Sequence, residues 1–261
     1  MRYAAMQSRD REGAVPGVSR TLCIRHNMNA IELYRAGRLK EAVQAVSAEL
    51  RDNPADTKRR TFLFELLSFA GEYERALKQL DILAQQGPQT EMGTLGYRAA
   101  IQAELQRQDL FRSKDFPELS AATAVPAAGT FNGKPFESIE DADPRVGTRL
   151  EVFAAGNYVW VPFAHIASIQ ISPPKALRDL LWIPAVVRLG PGMQGKDLGH
   201  VLLPVLAPFS CQHPDETVQL GRQTVWIEEE GEEVPFGQKT FLVDGEEYPL
   251  LEVREIQFGS A

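Results

Sequence analysis

Cysteine is almost missing from this 261-residue chain, which has only Cys23 and Cys211, far apart and in dissimilar contexts. That excludes a disulfide framework and fits a reducing compartment, the cytoplasm. Histidine is scarce as well, with four in all, leaving little material for acid–base or metal chemistry. No Gly-x-Ser-x-Gly elbow and no phosphate-cradling glycine loop occurs. No run of about 18 apolar residues is available to span a bilayer, so no membrane insertion is expected. Residues 1–16 are polar and charged, without the apolar core of a secretory signal. Cations are outnumbered: 28 Lys and Arg against 35 Asp and Glu give a formal net charge of −7. A general nucleic-acid binder carries a basic face, so that class is not expected, although a local basic patch is compatible with the total.

What the chain does contain is one short phrase written twice. Ala36-Gly37-Arg38-Leu39-Lys40-Glu41-Ala42-Val43 returns 34 positions later as Ala70-Gly71-Glu72-Tyr73-Glu74-Arg75-Ala76-Leu77, and Pro54 returns as Pro88. A period near 34 with Gly, then a bulky residue, then Ala and a closing Pro is the tetratricopeptide (TPR) pattern. Glycine permits the sharp turn between antiparallel helices. Leu39 or Tyr73 fills the seam, Ala42 or Ala76 admits close approach, and proline stops the second helix.

Read in order, residues 1–26 form an expected disordered leader, with Met28 as an alternative start of translation. Residues 27–113 form a TPR-like helical domain. Its first helix carries Ile31, Leu33 and Tyr34, and its second places Leu39, Val43, Val46 and Leu50 on one stripe. A third helix over residues 56–70 is apolar enough to be covered on two sides. A fourth runs from Tyr73 to before Gly87-Pro88, and a fifth over residues 90–112 lacks the repeat's Gly and Ala, as a capping unit does. Phe64 stands where the repeat usually has a small residue, either widening the local helix spacing or anchoring the cap. Residues 114–129 are the expected linker, and residues 130–261 a mostly β domain. There Asn132-Gly133 and Asp244-Gly245 signal tight hairpins. Asp143-Pro144 reads as a helix start, with Val146, Leu150, Phe153 and Ala154 as the buried stripe and Gly156 as the stop. Strands are expected at residues 158–163, 184–189, 201–205, 224–228, 239–243 and 250–258, with Ile166, Ile169 and Ile171 on a further extended run. The predicted class is therefore α+β: an N-terminal TPR-like superhelix followed by a mostly β domain with one clear helix.

The chemically suggestive residues are few. Cys211-Gln212-His213 lacks the second Cys/His pair that a zinc site needs. His213-Pro214-Asp215 matches the tripeptide of J-domain co-chaperones, but here it lies in a loop of a β region. His165 stands alone in an apolar run, more a structural histidine than a general base. Arg178 and Asp179 form either an ion pair or a recognition surface. Glu228-Glu229-Glu230-Gly231-Glu232-Glu233 reads as a solvated hairpin tip, and Tyr158, Trp160 and Phe163 as core rather than a stacking platform.

The chain resembles the ImpE/TagJ (SciE-type) family of bacterial type VI secretion accessory proteins. The resemblance runs through Leu33-Tyr34-Arg35-Ala36-Gly37, Phe62-Leu63-Phe64-Glu65-Leu66-Leu67 and Glu74-Arg75-Ala76-Leu77. It continues through Asn132-Gly133-Lys134-Pro135-Phe136, Asp143-Pro144-Arg145-Val146-Gly147, Gly156-Asn157-Tyr158-Val159-Trp160-Val161-Pro162-Phe163, Leu177-Arg178-Asp179-Leu180-Leu181-Trp182 and Glu247-Tyr248-Pro249-Leu250-Leu251-Glu252. Two departures are a short connection between Phe111 and Asn132, where relatives often carry further helices, and the loop of residues 190–199. The resemblance implies a non-enzymatic interaction role with no catalytic residue, cofactor or metal. The implied partner is the small subunit of the contractile sheath, held by its short N-terminal helix near sheath assembly or recycling. A stack of helical hairpins offers a concave groove for such a helix. By repeat geometry its lining would include Ile31, Tyr34, Lys58, Thr61, Glu65, Ser68, Leu95 and Ala99, with the β domain as the alternative surface. A general peptide-binding adaptor or co-chaperone, and an enzyme with its site on the β domain, are the competing readings.

Overall fold

Asn29 opens the first helix, α1 (Ala30–Arg35), by a reciprocal capping box. Its side chain accepts from the Glu32 N–H at 3.0 Å while the Glu32 carboxylate accepts from the Asn29 N–H at 2.9 Å. α2 (Leu39–Asp52) buries Leu39, Ala42, Val43, Val46 and Leu50 on one stripe. Asp56 caps α3 (Thr57–Phe69), and α4 (Tyr73–Ala84) packs back against it. α5 (Pro88–Ser113) is 26 residues long and has Pro88 in its first turn, where the missing N–H costs nothing. Phe64 is buried, with its ring 5.6 Å from Tyr97, so it ties α3 to α5. The computed structural model describes residues 28–118, 128–190 and 198–259. The expected leader, most of the expected linker and most of the loop at residues 190–199 lie outside them.

The β half is antiparallel throughout. Its strands are β1 (Gly129–Phe131), β2 (Lys134–Phe136), β3 (Ile139–Asp141), β4 (Arg149–Ala154), β5 (Asn157–Pro162), β6 (Ile166–Ile171), β7 (Trp182–Leu189), β8 (Gly199–Pro204), β9 (Thr224–Glu229), β10 (Glu232–Gly237), β11 (Thr240–Val243), β12 (Glu246–Pro249) and β13 (Glu255–Phe258). An eight-stranded sheet runs β2-β1-β13-β6-β7-β8-β4-β5, a three-stranded sheet runs β12-β11-β3, and β9 and β10 form a separate hairpin. The larger sheet and the three-stranded one share a core in which Phe163 meets Phe241 at 5.9 Å and Phe131 meets Tyr248 at 4.8 Å.

The helix expected from Asp143-Pro144 is absent. Asp143 instead starts a turn in which its carbonyl accepts from the N–H groups of Val146 and Gly147, and the chain then extends as β4. The misleading spacing has a physical origin. β4 is covered on both faces: Leu150 and Val152 enter the β core, while Glu151 and Phe153 face the helical half. A strand buried on both sides loses its period-2 signature, and its apolar positions then fit a helical stripe by coincidence. The only α-helix of the β half among the described residues is the four-residue α6 (Glu216–Gln219), the other helical turns there being short 3-10 segments. The acidic run is a true hairpin turn at Glu230-Gly231, and β10 beyond it is a strand that the sequence reading left out.

The two repeat glycines have a second role that the repeat pattern does not contain. Gly37 has φ +79° and Gly71 φ +70°, as the interhelical turn requires. Both turns also press against the β half: a Cβ on Gly37 would lie 3.2 Å from Thr217 Cγ2, and one on Gly71 only 2.7 Å from Cys211 Sγ. Gly71→Ala is therefore expected to cost at least about 2 kcal/mol, from left-handed backbone plus overlap with the thiol. In a Cys211→Ala background the same change should cost measurably less. Urea unfolding of the four chains of this cycle checks the coupling, and additive costs would refute the contact.

Candidate partner-binding groove and the buried joint

Two features of the molecule invite a functional reading. The first is a buried group of charges where α5 crosses the sheet. Arg107 reaches from α5 to Glu151 on β4 with a paired contact, Nε to Oε1 at 2.6 Å and Nη2 to Oε2 at 3.0 Å. Lys239 bonds the same carboxylate and lies 2.5 Å from Asp141 on β3. The Tyr158 hydroxyl also donates to Glu151, and Glu104 stands 3.5 Å from Arg107. Arg107, Glu151, Lys239 and Asp141 are each at most 4% exposed.

Burial opposes ionisation of Glu151, but Arg107 and Lys239 outweigh it and hold the carboxyl well below its usual range. Burial lifts Asp141 from 3.8 to about 7 despite Lys239, and it raises Glu104 too, despite Arg107. Two cations thus face one firmly ionised carboxylate and two that hold their protons more tightly. The cavity beside the cluster measures 20 Å³, room for about one water. The paired bonds from Arg107 to Glu151 fasten α5 to the sheet.

The second feature is the concave face of the helices. The β half fills most of it: Leu177, Leu180, Leu181 and Trp182 join the apolar cluster of α1 to α5. Arg178 pairs with Glu65 of α3 at 3.3 Å and lies over the Tyr97 ring at 4.9 Å. It does not pair with Asp179, whose carboxylate accepts from the N–H groups of Lys175 and Ala176. Burial raises Glu65 even though Arg178 opposes the shift.

One end stays open. Between α1 and α3 lies a groove of about 660 Å³ with Ala30, Ile31, Tyr34, Phe62 and Leu177 among its walls. Tyr34 and Phe62 meet edge to face at 6.0 Å, and Ile31 is 53% exposed. The rim is charged. Arg59 bonds both Glu49, at 2.7 Å, and Asp56, whereas Arg35 and Lys58 meet no carboxylate among the described residues. Arg222 of the β half holds this end of α1, donating to the carbonyls of Tyr34 and Arg35 and stacking 4.9 Å over Tyr34.

Of the residues expected to face a groove, Ile31, Tyr34 and Lys58 line this one. Thr61 lies half-buried, donating to the Thr57 carbonyl. Glu65 and Ser68 are buried at the joint, where the concave face is already covered. Ala99 lies under the Gly156 turn beside a separate cleft of about 390 Å³, and Leu95 is 55% exposed on α5. Sequence reasoning missed Arg35, Phe62 and Leu177. Phe62 sits at the third helix's apolar face, but Leu177 comes from the other half and no local pattern could announce it.

The remaining candidates have structural roles. Cys211 packs on Gly71, and burial pushes its thiol up to about 11. His213 Nδ1 accepts from the Asp215 N–H, and Asp215 caps α6, so the His-Pro-Asp run is a helix start. The His165 carbonyl accepts from the Gly190 N–H at 2.8 Å. Phe163 is core, while Tyr158 and Trp160 face the helices, Trp160 stacked on Phe116 at 5.5 Å with Arg149 above it at 4.1 Å. Among the described residues no three His, Cys, Asp or Glu gather to hold a metal. No described helix is long and apolar enough to cross a membrane.

The described residues thus form helical hairpins with an open groove, fused through a buried joint to an antiparallel β module. A family model described as ImpE protein matches residues 133–257. The type VI secretion system accessory component TagJ of Pseudomonas aeruginosa is 31% identical over 265 residues, covering 88% of this chain and 91% of TagJ. The crystal structure of protein VPA1032 from Vibrio parahaemolyticus has a TM-score of 0.76 at 21% identity, covering 89% of this chain and 98% of that one, and so shares the fold. The chain belongs to the ImpE/TagJ family of type VI secretion accessory proteins.

Removing Glu151's charge would leave Arg107 and Lys239 buried together without their main counter-ion. Glu151→Gln should therefore destabilise the protein by about 3–5 kcal/mol in urea unfolding at neutral pH. Asp141→Asn should cost less, because that carboxyl titrates near 7 in the fold. The sign of its pH dependence follows from the raised value: the folded chain holds a proton that the unfolded chain releases. Asp141's contribution is thus complete below about pH 4 and lost as pH climbs towards 7. Asp141→Asn should flatten the fall in stability across that window, and an unchanged slope would contradict the assignment.

Proposed function

We propose that this chain works in type VI secretion as a cytoplasmic accessory protein that acts by binding. Its partner in this reading is the small subunit of the contractile sheath, held by that subunit's short N-terminal helix, near sheath assembly or recycling. The observation that carries it is the apolar groove between α1 and α3, the part of the concave face left uncovered among the described residues. An amphipathic helix laid in such a groove buries its apolar stripe and leaves its polar face in water. The relation to TagJ, itself named an accessory component, supports the setting. A role as scaffold is also consistent with where the titratable groups lie. The strongly shifted ones are enclosed in the joint, and among the described residues no histidine or cysteine lines the open groove.

The test is co-purification of the full chain with the sheath small subunit from the same bacterium. Binding is expected, and it should disappear when the subunit's N-terminal helix is deleted. Retention of the truncated subunit would remove this docking mode.

A further inference from the structure

We infer that the groove between α1 and α3 selects an amphipathic helix whose apolar stripe is flanked by acidic residues. This deepens the proposed function by giving the partner's chemistry, and it rests on that reading only for the partner's identity.

The floor is apolar: Ile31, Tyr34, Phe62 and Leu177 are all partly exposed there. Around it stand Arg35, Lys58 and Arg59 with Glu49 and Asp56. Both carboxylates are already committed to Arg59, and Asp56 is further held low by the Arg59 N–H and guanidinium. Arg35 and Lys58 have no such partner among the described residues and are exposed. The rim therefore offers two unanswered positive charges beside an apolar trough, on a chain whose total is −7. A basic helix would meet repulsion at both. An acidic-flanked helix would gain two ion pairs along with apolar burial.

The same charges weigh against the nearest internal occupant. In sequence, residues 1–27 precede Asn29 at the groove's edge, and they carry five arginines against one aspartate and one glutamate. Like charge on that segment disfavours it next to Arg35 and Lys58, so the occupant is another molecule.

The probes are two synthetic amphipathic helices with leucines at i, i+3, i+4 and i+7. One has glutamates beside the stripe and the other has lysines, and both are titrated into the full chain by fluorescence anisotropy. The glutamate peptide should bind about tenfold more tightly than the lysine peptide at low salt, with the gap shrinking as salt rises. The double variant Arg35→Glu/Lys58→Glu should reverse the preference, and Ile31→Asp should abolish binding of both. All three positions are exposed, so the fold should survive, which circular dichroism verifies. Equal binding of the peptides, a preference that persists in the double variant, or indifference to Ile31→Asp would each overturn the inference. So would dimerisation of the chain by itself that Ile31→Asp abolishes, since the groove would then belong to a second copy. Binding of the sheath subunit to the same variants separates the two readings. If the subunit binds wild type and variants alike while the peptides behave as expected, the groove chemistry holds and the proposed docking site falls. If the subunit's binding follows the double variant, both readings stand.

Discussion

One carboxylate, Glu151, sits between two buried cations and holds the molecule's halves to each other. Arg107 projects from α5 and Lys239 from the segment entering β11, so three distant parts of the chain converge on one side chain. Net stabilisation is not the point of such a cluster, because desolvating several charges cancels much of their attraction. Its consequence is geometric. Paired bonds from a planar guanidinium tolerate few orientations, so the axis of α5 is fixed against β4 and β5.

With α5 held there, the rest of the joint closes. The residues after Pro173-Pro174 drop into the concave side of the helices, and Arg178 pins them by its contacts with Glu65 and Tyr97. The turns at Gly37 and Gly71 press against Thr217 and Cys211. A helical-repeat stack would ordinarily present its whole concave face to a partner. Here the β module takes most of that face, and the remaining opening is short, apolar and bordered by Arg35 and Lys58. The size and charge of the opening thus follow from how the two halves lock, not from the repeat alone.

The helical half was legible in detail. The 34-residue period, the proline stops and the apolar stripes at three- and four-residue spacing are local signals, and α1 to α5 follow them closely. The β half was legible as extended chain, hairpins included, because Asn132-Gly133 and Asp244-Gly245 encode their turns locally. Its errors fall where burial is two-sided or where polarity hides a strand. β4 mimicked a helix because the helices cover its second face, and β10 was hidden in an acidic run whose charges find Lys114 and Arg145 across the surface. Of the groove, Ile31, Tyr34 and Lys58 could be read from repeat geometry. Glu65 and Ser68 also followed that geometry, but their place is the joint, since repeat geometry contains no β module to cover them.

By itself, the sequence determined the two halves, their order, the hairpin turns and the family likeness, since each depends on residues within a few positions or one repeat of each other. Only the tertiary structure decided which part of the concave face remains open and which charges lack a partner. Those properties depend on contacts between segments more than a hundred residues apart, such as Arg178 with Glu65 or Arg222 with Tyr34. Chain order sets no such distance in advance; packing does.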